Sequence, residues 1–226
     1  MKKYDVIIIG AGPGGIFSAY ELLKNNENLK IAIFEEGHAL EKRKCPIDGK
    51  KIKSCIHCKS CSIMSGFGGA GAFSDGKYNI TNDFGGTLYE YIGKEKALEL
   101  MQYVDEINME YGGEGTRLYS TAGTKFKKLC LQNRLQLLNA SVRHLGTDVN
   151  YIVLQNMYAW LKDRADFYLT RPCSISKRGK MAIRSSVKRK IMHAENVWFL
   201  SDEAEANGWK RSVKRWASRP VPTVWT

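Results

Sequence analysis

The chain has 226 residues, of which 43% are hydrophobic and 26% charged, which excludes global disorder and leaves ample chain for a buried core. No apolar run approaches the roughly 18 to 20 residues of a membrane-spanning helix, and Asp5 and the turn at Gly10 interrupt the amino terminus too early for a secretory core; a cytoplasmic protein with reduced thiols is expected. The net charge of +12 is uneven: residues 1–170 carry 22 Lys and Arg against 19 Asp and Glu, whereas residues 171–226 carry 13 against 4 together with four of the five tryptophans.

Tyr4 to Ile9 is an apolar, β-branched run with the character of a buried parallel strand. It enters Gly10-Ala11-Gly12-Pro13-Gly14-Gly15, and Ile16, Phe17, Tyr20 and Leu23 then recur at helical spacing. Leu29 to Phe34 reads as a second strand ending at Glu35. In this β-α-β order each piece has a physical task. Gly10 makes the tight turn, Gly12 lets the backbone approach a pyrophosphate, and Gly15 lets the helix pack close to the sheet. Pro13 and Gly14 open the helix, whose free N–H groups favour an anion. Glu35, 20 residues past Gly15, can accept hydrogen bonds from a ribose diol and repels a 2′-phosphate.

Asp5 to Gly15, with Ile33-Phe34-Glu35 after it, resembles FAD-dependent oxidoreductases of the glutathione-reductase-like type. The resemblance implies that this unit holds the ADP half of FAD; NAD is the competing ligand for the motif alone.

A basic stretch, Lys42-Arg43-Lys44, leads into Cys45, Cys55, Cys58 and Cys61, four thiols within 17 residues. Three readings stay open. The four thiolates bind zinc or an iron–sulfur cluster, for which Cys-x2-Cys turns suit one metal. Alternatively, a pair among Cys55, Cys58 and Cys61 is a redox dithiol beside a flavin. Or the thiols are reduced and buried, or are traces of a lost site. His57 reads as a residue between ligands rather than as a ligand. Next comes a loop with glycines at 66, 68, 69, 71 and 76. Its glycines permit positive φ and leave N–H groups unobstructed, to cradle a pyrophosphate or lie against an isoalloxazine face. Phe67 and Phe73 mark it as packed rather than a linker.

The string from Cys45-Pro46 through the glycine loop to Lys77, with Val142 to Asp148, is similar to uncharacterised FAD-dependent dehydrogenases common in anaerobic bacteria, over about residues 1–170. The resemblance implies that Gly68, Gly69 and Gly71 approach the flavin, and leaves the cysteines undecided.

Farther along, residues 94–111 are predicted as an amphipathic helix stopped at Gly112-Gly113. Phe126 to Leu138 favours helix, Ser141 to Leu145 alternates like a strand, and Asp148 caps a helix from Val149 to Leu161. Arg143, His144 and Asp148 form a compact charged trio with two readings: a substrate or flavin contact in which His144 moves a proton, or an N-cap beside a satisfied strand histidine.

The expected fold is α/β: a Rossmann-like parallel-sheet FAD domain with a largely helical insertion, truncated. Residues 1–80 would hold the nucleotide unit, cysteines and glycine loop, 81–196 the insertion, and 197–226 a disordered tail translated out of frame, since a shifted frame from Asn207 allows codons that read as a helix and a strand start. The expected function is FAD-dependent oxidoreduction, with NAD(P)H or another carrier as electron partner, no membrane, and nucleic acid disfavoured by the charge split. The alternative is a metal-binding nucleic-acid module that uses the cysteines and the basic tail.

Overall fold

The computed structural model describes residues 2–170 and, beyond Thr170, the backbone of residues 173–175, 181–184 and 189–199. In chain order the elements are β1 (Lys3–Ile9), α1 (Pro13–Asn25), β2 (Ile31–Phe34), β3 (Lys77–Ile80), α2 (Leu88–Ile92), α3 (Lys94–Asn108), β4 (Leu118–Ser120), α4 (Phe126–Gln132), β5 (Ser141–His144), α5 (Gly146–Lys162), β6 (Ala165–Tyr168), β7 (Cys173–Ile175), β8 (Met181–Arg184) and β9 (Arg189–Phe199). The chain divides into two compact units: Met1–Gly69 with Leu161–Thr226, and Ala70–Trp160.

The first unit is an α/β layer on a six-stranded sheet of order β6-β2-β1-β9-β8-β7. β1 lies parallel to β2 and to β9, and β2 lies parallel to β6. β8 and β7 continue the sheet antiparallel. Val6 to Ile9 pair with Ile31 to Phe34, and all eight are buried. A parallel strand covered on both faces needs this continuous apolar run. Pro13 opens α1 at a position where a missing N–H costs nothing. The helix buries Ile16, Ala19, Tyr20 and Leu23, the face that its spacing predicts. β6 is tied to β1 across β2. The Asp166 carboxylate accepts from Lys2 Nζ at 2.7 Å and from the Tyr4 hydroxyl, and the Tyr4 and Tyr168 hydroxyls are 2.7 Å apart.

Residues 161–196, grouped with the insertion from sequence, fall in the first unit, because β6 and β9 pair with β2 and β1. Val197–Phe199, grouped with the tail, pair with Ile7–Ile9. The remainder of the tail, residues 200–226, and the frame-shift reading attached to it lie outside the described residues.

The second unit carries an antiparallel sheet of order β3-β5-β4. α3 buries Ala97, Asp105, Ile107 and Asn108, and α5 buries Val153, Leu154 and Met157. α3 ends through a turn at Met109–Gly113 with Gly112 at φ 122, close to the predicted stop. α5 starts at Gly146, so Asp148 sits in its first turn rather than at its cap, where it still faces the favourable end of the helix dipole. α4 stops six residues short of the predicted Leu138, and Arg134 just beyond it has φ 57. No helix among the described residues is long and apolar enough to cross a membrane.

Candidate functional site

The site is built where β1 turns into α1. Gly10 has φ 100, and its N–H donates to the Phe34 carbonyl at 2.7 Å, which locks the turn to the end of β2. A Cβ on Gly15 would stand 2.0 Å from the Gly10 carbonyl oxygen. No side chain larger than hydrogen fits there, as expected from close helix–strand packing. Gly12 is the extended cap residue of α1 and makes no side-chain cap hydrogen bond. No acidic residue stands in the first turn of α1 either, so neither a side-chain cap nor a local acid occupies the positive end of its dipole.

Glu35, at the end of β2, is 7% exposed. Its Oε2 accepts from the Ala11 N–H at 2.9 Å, and its Oε1 accepts from the N–H groups of Gly37 at 2.8 Å and Gly66 at 2.9 Å. A carboxylate has about four acceptor positions, so about one is left for a ribose hydroxyl. The sequence suggested an acid waiting for a diol. In the structure the same acid also fastens three backbone segments together.

The second glycine loop differs from the expected nest of unobstructed donors. Gly66, Gly68 and Gly69 do take positive φ values of 122, 88 and 58. Their amides, however, have acceptors within the chain. Phe67 N–H donates to His38 O at 3.0 Å, Gly68 N–H to Ala11 O at 2.8 Å, and Gly69 N–H to Gly66 O at 2.9 Å. The loop is thereby pinned to the first glycine turn and is anchored by Phe67, which is fully buried against Phe167. Gly68 and Gly69 are themselves buried, so what they contribute is a side-chain-free backbone path rather than hydrogen-bond donors. Gly71 lies in the second unit, where its carbonyl accepts from Asn150 Nδ2 at 3.0 Å.

Sequence reasoning gave Arg43 no role beyond its place in a basic stretch. It is 5% exposed. Its Nε donates to Ser62 O at 2.9 Å, one terminal nitrogen donates to Phe67 O at 2.7 Å and Gly69 O at 2.8 Å, and the other donates to Ile63 O at 2.7 Å. Burial pulls the guanidinium below its ordinary value, and the nearby Glu35 charge opposes that shift. Neither periodicity nor a motif signals such a residue; it becomes visible only when the loop carbonyls it satisfies are in place.

The four cysteines do not assemble into the expected ligand set. Among the described residues no three Cys, His, Asp or Glu side chains are arranged to hold a metal ion. Local turns shape the stretch instead. Asp48 accepts from the N–H groups of Lys50, Lys51 and Ile52, and Cys61 O accepts from Met64 and Ser65. Cys55 Sγ accepts the His57 N–H at 3.4 Å. Cys55 and Cys58 are exposed, while Cys45 and Cys61 are half-buried. All four are free thiols.

Arg143, His144 and Asp148 lie in the second unit. Arg143 pairs in a fork with Asp105, at 2.7 Å from one terminal nitrogen and 3.0 Å from Nε, and donates to Thr116 O at 2.6 Å. Hydrogen bonding to Asp105 holds the guanidinium above its ordinary value. His144 and Asp148 are exposed. A cleft of about 570 Å³, lined by residues including Lys2, Lys30, Asp163 and Asp166, opens at the amino ends of β1, β2 and β6. Ligands of open α/β sheets bind at the other end of the strands, where Gly10 to Gly15 stand.

No family model matches the chain. An uncharacterised protein of Methanosarcina barkeri is 58% identical over 31 residues, which is 14% of this chain and 8% of that protein. The chain is similar to the solved structure of glycine oxidase from Geobacillus kaustophilus, with a TM-score of 0.50 and 18% identity, covering 94% of this chain and 59% of the other. It is also similar to 3-ketosteroid-delta4-(5alpha)-dehydrogenase from Rhodococcus jostii, with a TM-score of 0.51 and 12% identity, covering 98% and 51%. The chain spans about half the length of these structures, and at such identities the likeness shows a shared fold.

Proposed function

We propose that the chain binds FAD at the β1–α1 turn and serves flavin-dependent oxidoreduction. The observation that carries this reading is the turn itself. Gly15 is packed against the Gly10 carbonyl, the start of α1 has no side-chain cap, and Glu35 is hydrogen-bonded to Ala11. These residues fit a dinucleotide. A diphosphate meets the open helix end, and a ribose hydroxyl meets the remaining acceptor position of Glu35. Gly10, Gly12, Pro13, Gly14, Gly15 and Glu35 would hold the ADP half, with Gly68 and Gly69 on the side that carries the flavin. When bound, the flavin supplies the hydride or electron transfer; the chain binds, orients and shields it. An oxidase and a dehydrogenase among the structures of similar fold support oxidoreduction as the class, with a small molecule or NAD(P)H as electron partner. The thiols have no assigned part in this reading.

The test is direct titration of purified protein with FAD and with ADP, following flavin fluorescence and calorimetric heat. Binding of both is expected, and Gly12→Val, which puts a side chain where the diphosphate would lie, should abolish it. If wild-type protein binds neither at millimolar concentration, the reading is wrong.

A further inference from the structure

We propose that Arg43 is a cofactor-positioning residue: it holds the Gly66–Gly69 backbone in place for the part of FAD beyond the adenosine. The inference rests on the FAD reading above and adds a residue to it.

The geometry is unusual in three respects. First, Arg43 is buried and its N–H groups donate to four backbone carbonyls, those of Ser62, Ile63, Phe67 and Gly69. Burying a cation is costly unless its donors are satisfied. Second, the segment it holds contains three buried glycines at positive φ, conformations that disfavour side chains. A Cβ on Gly66 would lie 2.6 Å from Arg43 Cδ and from the His38 carbonyl. Third, that segment is joined to the phosphate turn by Gly68 N–H to Ala11 O, and to Glu35 by Gly66 N–H. An ordinary connecting loop needs none of this. Glycine takes these conformations without strain, so the three glycines let a buried backbone follow a path closed to other residues, and Arg43 fixes that path.

The guanidinium suits the task because its donors lie in one rigid plane. A lysine places a single rotatable ammonium and cannot reach carbonyls on residues 62, 63, 67 and 69 together. Loss of Arg43 would leave buried carbonyls unpaired and let the loop drift. Although Gly66 and Gly68 touch that site, the Gly10 N–H to Phe34 bond and the Glu35 bonds from Ala11 and Gly37 lie outside the loop and stay in place without Arg43. The loss should therefore fall on FAD more than on ADP.

The experiment compares Arg43→Lys and Arg43→Gln with wild-type protein by isothermal titration against ADP and against FAD, at a temperature where circular dichroism shows each folded. ADP affinity should stay within about twofold, while FAD affinity falls about tenfold or more, a difference of about 1.4 kcal/mol. The visible dichroism of bound FAD should also change. Should both Arg43 variants unfold, Gly68→Ala, which strains the loop with Arg43 intact, must show the same FAD-selective loss. If the variants lose ADP and FAD equally or lose neither, or if Gly68→Ala leaves the ratio unchanged, the positioning role is overturned. Wild-type protein that binds neither ligand would instead bring down the FAD reading itself.

Discussion

At residue scale, Glu35 shows how one side chain serves fold and site together. Its carboxylate accepts three backbone N–H groups while 7% exposed. Glu35→Gln keeps the shape but replaces one acceptor oxygen with an NH2 donor. The amide cannot satisfy donors on both sides, so at least one buried N–H faces another donor. An unsatisfied buried group costs about 1–3 kcal/mol. The expected result is a loss of unfolding free energy of that size, seen as a lower urea midpoint, together with weaker ADP binding. An unchanged midpoint would mean that the three hydrogen bonds are not made. Gly10, Gly12, Gly15 and Glu35 were legible from sequence because their spacing is set by a turn geometry that recurs wherever a strand feeds a helix at a phosphate. Arg43 was not legible, because its partners are carbonyls 19 to 26 residues away and nothing local distinguishes it from Lys42 or Lys44.

At the scale of elements, the short strands were the hardest to read. β1 and β2 declare themselves by continuous apolar runs. β6, Ala165–Tyr168, mixes Asp166 into its sequence and is specified by what it pairs with. That acid ties β6 to β1. Lys2 above all, and then the Tyr4 hydroxyl, hold its carboxyl below the usual carboxylate range, while burial pushes the Tyr4 phenol well above its ordinary value. A carboxyl whose pKa is lowered on folding stabilises the fold above its unfolded value of about 3.9 and loses that contribution as pH falls through the folded value. Asp166→Asn should therefore cost about 1 kcal/mol near neutral pH, a figure kept small because the pair is partly exposed. The gap between variant and wild type should close below about pH 4. Equal separation of the two denaturation curves at pH 3 and pH 7 would refute the linkage. α4 illustrates the opposite failure. Its apolar residues suggested a helix to Leu138, yet none of the residues in the seven-residue helix is buried, so no packed face extends it and propensity alone does not.

Across the molecule, the same segment creates a surface with a distinct behaviour in solution. Phe126, Leu129, Leu131 and Leu135 are each more than half exposed. Residues 115–147 contain Arg117, Lys125, Lys127, Lys128, Arg134 and Arg143 and no Asp or Glu. Arg143 is neutralised by Asp105, which leaves five cations around exposed apolar side chains. Two such surfaces repel at low ionic strength and attract at contact. The repulsion is screened within about 30 Å at 0.01 M salt but within about 3 Å at 1 M. Apolar attraction does not weaken in this way. Self-association should therefore rise with salt, the reverse of the behaviour expected if ionic contacts hold copies together. Light scattering from a sample taken from about 10 mM to about 1 M sodium chloride should show the apparent mass increasing. Phe126→Ser combined with Leu129→Ser should suppress the rise while changing the thermal midpoint little, since both side chains are already more than half exposed. A mass that falls with salt, or a rise that survives the double substitution, would place the association elsewhere on the chain.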